Sequence, residues 1–125
     1  MTTYADTNVL LAFALQDRPV QRSEVERWSR DNGRLVVSEA VLAEVCWVLI
    51  RSYGYPVREV AVRVRALLAS STFDAWDADL AESALSLLIA RPTLGLPDCL
   101  LAARALRGDA VYTFDRRLAT TIDEL

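Results

Sequence analysis

Residues 2–11, TTYADTNVLL, run from a short β-compatible piece through Asp6 directly into an apolar stretch. The residues Thr2 to Ala5 read as a strand and NVLLAFAL as a helix, so Asp6 stands where a strand hands over to a helix. Two further segments have a related look. RLVVS at 34–38 predicts a short apolar strand, and Ser38 sits well as the N-cap of a helix running to about Ser52. AVYTF at 110–114 predicts a last strand, closed by Asp115 and followed by a short helical tail.

Between these lie helices with recognisable ends. Pro19 can start VQRSEVERWSRD, which Asn32-Gly33 ends. Pro56 opens a helix with Val57, Val60, Val64, Leu67 and Leu68 on one face. A short extended piece, TFDAW, leads to a helix over about Asp79 to Ala90, whose DLAE start resembles a capping box. After RPTLG, Pro97 fits the first turn of a helix that Gly108 ends. Short strands alternating with helices predict an α/β fold: a short, mainly parallel central sheet flanked by helices. In such sheets sites form at the carboxyl ends of strands.

The chain of 125 residues reads as one domain, 1–125, with no internal repeat or linker. Its 53% apolar and 25% charged content is globular. The longest apolar run, AVLAEVCWVLI, is broken by Glu44 and is too short for a membrane span. No basic n-region precedes Asp6, so no secretory signal is expected, and the reading is a cytoplasmic protein. Cys46 and Cys99 form no CxxC pair and read as small buried hydrophobes.

What is missing narrows the chemistry. With no histidine, a Ser-His-Asp triad and the usual Cys/His zinc site are excluded. With no lysine, so are a Walker A loop and a Schiff base; all 14 basic residues are arginine. The four glycines are scattered and make no phosphate-cradling loop. A net charge of −3 argues against a general nucleic-acid coat protein. Carboxylates are the main catalytic groups left.

Four acids hold telling positions. Asp6 and Asp115 follow the first and last expected strands, Glu44 lies two turns into the helix after RLVVS, and Asp98 lies in the first turn of the helix after Gly95. Glu44 has Ala40, Val41, Trp47 and Val48 as its i±3 and i±4 neighbours, which reads as a charge inside an apolar face. Such a carboxylate is costly unless paired, by a distant arginine for instance, or bound to a metal. Taken singly, Asp6 also reads as an N-cap, Asp98 as a favourable helix-dipole charge and Asp115 as a turn residue. The predicted fold, however, brings all four to one sheet edge. Two carboxylates 4 Å apart repel by about 4 kcal/mol at an effective dielectric near 20, so four together require protons or cations. Oxygen-only ligands suit Mg²⁺ or Mn²⁺, and the expected reaction is metal-assisted phosphodiester hydrolysis.

ADTNVLL, VVSEAVLAEVCWVL, LPDCLLAARAL and VYTFDRRL, in this order and spacing, resemble the PIN domain. More narrowly they resemble the VapC toxins of bacterial toxin–antitoxin pairs, over about Thr3 to Ile122. The family's four acids fall on Asp6, Glu44, Asp98 and Asp115, and its Asn two residues after the first acid on Asn8. Its hydroxyl residue before the last acid falls on Thr113, which the resemblance implies hydrogen-bonds within the acidic cluster. Pro97 and Cys99 flank the third acid where the family often has other small or apolar residues. The resemblance implies a Mg²⁺- or Mn²⁺-dependent endoribonuclease that homodimerises and is neutralised by a VapB-like antitoxin occupying its groove.

For RNA, phosphates need arginine donors, and Arg116 and Arg117 directly follow Asp115. Arg51, Arg91 and Arg104 are further candidates. Tyr4, Trp47 and Tyr112 are of a type that stacks on bases, but their places in strand or helix interiors predict core packing. ADTN also resembles the opening of haloacid-dehalogenase-like phosphatases, which want a second Asp at the position of Asn8 and a lysine that is absent. A response-regulator receiver fails on the same lysine. A PIN-like module that binds RNA or a partner without cutting remains the alternative, and the complete acid set speaks against it.

Overall fold

The computed structural model describes residues 1–125, which fold into two compact units, 1–78 and 79–125. The chain order is α1 (Thr7–Ala14), α2 (Pro19–Asn32), β1 (Leu35–Val37), α3 (Glu39–Arg51), α4 (Val57–Ala69), β2 (Phe73–Ala75), α5 (Ala78–Ala90), α6 (Leu96–Leu106) and α7 (Arg116–Asp123). This is an α/β fold with seven helices and a small parallel sheet. No helix is long and apolar enough to cross a membrane.

The first unit holds the sheet. β1 and β2 pair in parallel, with Leu35 opposite Phe73, Val36 opposite Asp74 and Val37 opposite Ala75. Tyr4 adds a parallel bridge to Val36, fixed by Ala5 N donating to Val36 O at 2.9 Å and Val36 N donating to Thr3 O at 2.8 Å. The expected first strand over Thr2 to Ala5 is thus one bridged residue rather than a strand. Asp6 follows this bridge immediately, at the carboxyl end of the extended piece.

Packing explains why the apolar periods fold as they do. α3 buries Leu42, Val45, Cys46 and Leu49, and α4 buries Val60, Ala61, Val64 and Leu67. Both sets recur every three to four residues, so each helix turns one stripe inward. The two helices pack on one another and on α1, while α4 also covers β2. At the centre Phe13 of α1 meets Phe73 of β2 edge to face, ring centroids 4.8 Å apart. Arg63 ties α4 to the end of α1: it donates to Ala14 O, pairs with Glu59 and lies over the Tyr55 ring.

Helix ends follow the local chemistry. Ser38 Oγ accepts from Val41 N at 3.3 Å and caps α3. Gly33 closes α2 at φ +103°, a left-handed region that a side chain would strain. In the second unit α5 buries Leu80, Ala81, Ala84, Leu85 and Leu88, and α6 buries Leu96, Cys99, Leu100, Ala102 and Ala103. α6 and α7 pack together.

One expected element is absent. Residues 110–114 form no strand. Tyr112 and Phe114 are 90% and 91% exposed, and their rings meet only each other, edge to face at 5.7 Å. The composition favours a strand, but a strand exists only where a neighbour supplies the hydrogen bonds, and this segment has none. Core packing of Tyr4, Trp47 and Tyr112 is overturned for the same kind of reason. Tyr4 and Trp47 are 64% and 60% exposed because their side chains sit on the outer faces of a bridge and a helix.

Candidate active site

Each unit carries two of the four acids. In the first, Asp6 is the N-cap of α1, and its Oδ1 accepts from Val9 N at 3.1 Å. The cap uses one carboxylate oxygen and satisfies an amide that the helix start leaves without a partner. Glu44 lies on α3, and its Oε2 accepts from the hydroxyl of Thr7, the first residue of α1, at 2.9 Å. This bond joins the N-terminus of α1 to α3 across 37 positions of sequence.

The reading of Glu44 as a charge inside an apolar face is corrected. Glu44 is exposed, as are Ala40 and Trp47. The buried stripe of α3 is Leu42, Val45, Cys46 and Leu49, which leaves Glu44 on the solvent side. No desolvation penalty therefore demands a partner, and its hydrogen-bond donor is a threonine, not a distant arginine. Thr7 is the functional candidate that the sequence did not mark: a hydroxyl next to an acid carries no signal of what lies 37 residues away.

Asp6 and Asn8 line an open cleft of about 790 Å³ between α1 and α2, together with Val9, Asp17, Arg18 and Glu24. Its carboxylates outnumber its single arginine, so the cleft favours cationic groups.

In the second unit Asp98 stands half-buried in the first turn of α6, where its charge complements the helix dipole. It also acts on Cys99. Burial, and then the neighbouring Asp98 charge, push the Cys99 thiol up to about 12. Asp115 is the N-cap of α7, its Oδ1 accepting from Arg117 N at 2.9 Å and from Leu118 N at 3.2 Å. Thr113 Oγ1 accepts from the backbone N–H of Asp115 at 2.9 Å. The hydroxyl thus orders the turn that presents Asp115, and it binds the backbone there rather than a carboxylate. Arg116 and Arg117 are both exposed, and Arg117 Nη1 reaches Thr93 O at 3.5 Å. Arg51 and Arg91 are exposed as well, and Arg104 is half-buried, with Nη1 donating to Leu100 O.

No set of three or more Asp, Glu, Cys or His residues is grouped to hold a metal ion. The donor chemistry nevertheless suits a hard divalent cation. All four side chains offer carboxylate oxygens, and Asp6 and Asp115 each cap through Oδ1 alone, leaving Oδ2. Glu44 likewise engages Oε2 and leaves Oε1.

No match was found among curated proteins or among solved structures. The family model of the PIN domain matches residues 3–123, across both units and all four acids. PIN domains are generally nucleases, and they typically use divalent metals. With that match spanning almost its whole length, the chain belongs to the PIN domain family.

Proposed function

We propose that this protein is a divalent-metal-dependent endoribonuclease, the toxin of a VapBC-like toxin–antitoxin pair. The observation that carries the reading is the family match over residues 3–123, a span that contains Asp6, Glu44, Asp98 and Asp115. In this reading residues 1–125 act as one PIN domain in the cytoplasm, as a homodimer, and a VapB-like antitoxin blocks the groove.

In this reading Asp6, Glu44, Asp98 and Asp115 would hold one or two Mg²⁺ or Mn²⁺ ions. A bound ion of this kind supplies an activated water and neutralises charge on a phosphoryl oxygen. The protein's own part is orientation. Thr7 fixes the rotamer of Glu44, and the cap bonds to Val9, Arg117 and Leu118 fix Asp6 and Asp115 with one oxygen each still presented. Asn8 and Thr113 support these carboxylates from behind, Thr113 through the Asp115 backbone. Arg116 and Arg117 meet the RNA phosphates.

Expression of the chain in a bacterial host, with new RNA 5′ ends mapped and Asp98→Asn as control, tests this. Discrete ends produced only by the wild type are expected. Ends of equal number with Asp98→Asn would sink the assignment.

A second reading has one specific observation behind it. The acids are not grouped as a metal centre, and two of them already serve as helix caps. That arrangement would also suit a PIN-like module that binds RNA or a partner without cutting it. Calorimetric Mg²⁺ or Mn²⁺ binding that disappears on Asp98→Asn separates the two, because a non-catalytic module does not require it.

A further inference from the structure

The second unit contains a cleft of about 390 Å³, formed by the turn after α5 and one face of α7. Arg91, Arg116 and Arg117 line it together with Thr93, Thr120 and a single acid, Glu124. In a chain of net charge −3, three guanidiniums against one carboxylate make a local reversal of sign. Two of the three are held in place. Arg91 pairs with Glu124, and Arg117 donates to Thr93 O. Guanidiniums already fixed in this way lose less side-chain entropy when they take up an oxyanion. The helix terminus itself is not the anion site, because Asp115 Oδ1 already occupies the Arg117 and Leu118 amides.

We propose that this cleft seats the sugar–phosphate backbone of single-stranded RNA and positions the strand relative to Asp115. The proposal rests on the ribonuclease reading and adds Arg91 and the cleft walls to it. Arginine forks recognise phosphate oxygens without reading the base, so the contact is sequence-independent. Glu124 works against it, since its charge opposes a phosphate and its ion pair occupies Arg91. The cleft therefore exchanges one carboxylate partner for a phosphate when RNA binds.

The test uses the full chain carrying Asp98→Asn, to prevent cleavage, and a fluorescein-labelled 12-nucleotide single-stranded RNA of mixed sequence. Binding is followed by fluorescence anisotropy from low to high NaCl, with circular dichroism confirming the fold of each variant. Each phosphate contact on a single strand contributes about 0.7 to the slope of log affinity against log salt, so Arg116→Gln with Arg117→Gln lowers the slope by about 1.4. At 0.1 M salt that slope corresponds to about 25-fold weaker binding. Glu124→Gln is expected to tighten binding, an effect that loss of fold does not produce. Weaker binding by Glu124→Gln would overturn the proposal alone, and unchanged slope in the folded double variant would overturn it together with the phosphate contacts of Arg116 and Arg117, in both cases leaving cleavage by the four acids standing. Arginine-dependent binding of an acidic peptide in place of the RNA would overturn it in favour of a protein partner. RNA binding by none of the proteins would overturn this proposal together with the ribonuclease reading.

Discussion

Asp6 and Asp115 each combine two roles that substitution can separate. Both cap a helix through Oδ1, and asparagine caps about as well as aspartate. Asp6→Asn is therefore expected to keep thermal stability within a few tenths of a kcal/mol while abolishing RNA cleavage. Asp6→Ala, which also removes the cap, should cost about 1 kcal/mol in chemical denaturation. Equal stability of the two variants would show that the Val9 bond contributes nothing. Cys99 gives a second residue-level test. With its thiol raised to about 12, the folded chain keeps a proton that the unfolded chain releases near the ordinary thiol value of about 8.5. The native state then binds more protons across that interval, so this group makes stability fall as pH rises from about 8.5 towards 12 and leaves it unchanged below. Both cysteines are buried, so Ellman's reagent should find no reactive thiol at pH 8 until the chain unfolds. Rapid labelling of the folded chain would contradict this.

At the scale of elements, local chemistry was the legible part. Pro19, Gly33, Ser38, Pro56 and Gly108 mark helix ends in the sequence, and the structure places helix ends at or beside each. The buried positions Val60, Val64 and Leu67 of α4 were readable for the same reason, since a 3.6-residue period is local information. What needed a distant partner was not readable. AVYTF has strand composition but no hydrogen-bonding neighbour, and Thr2 to Ala5 has only the one bridge to Val36. Glu44 was misjudged because its immediate apolar neighbours do not reveal which face α3 turns inward. The parallel sheet and its helices hold through Phe73, which is fully buried and meets Phe13 edge to face. Phe73→Ala should cost about 3–5 kcal/mol, from lost burial and the cavity left behind, measured by urea denaturation. A loss below 1 kcal/mol would mean that the first unit is not organised around this contact.

For the whole molecule, the family match covers both compact units, and the acids divide two and two between them. Asp6, Asp98 and Asp115 stood out as candidates because each follows a strand-like segment or lies in the first turn of a helix, and Glu44, two turns into α3, because of its apolar neighbours. What each carboxylate touches was not, as Thr7 on Glu44 and the Asp115 backbone on Thr113 show. Joint action of these acids on RNA would show itself in cleavage by the purified protein. Single-stranded and structured RNA would be incubated with the wild type in Mg²⁺ or Mn²⁺, in EDTA, and with Asp98→Asn in the same ions. Cleavage by the wild type that needs the ion, and is lost in both EDTA and Asp98→Asn, is the predicted result. Cleavage that continues in EDTA, or at full rate in folded Asp98→Asn, would show that these acids do not cut RNA through a bound ion.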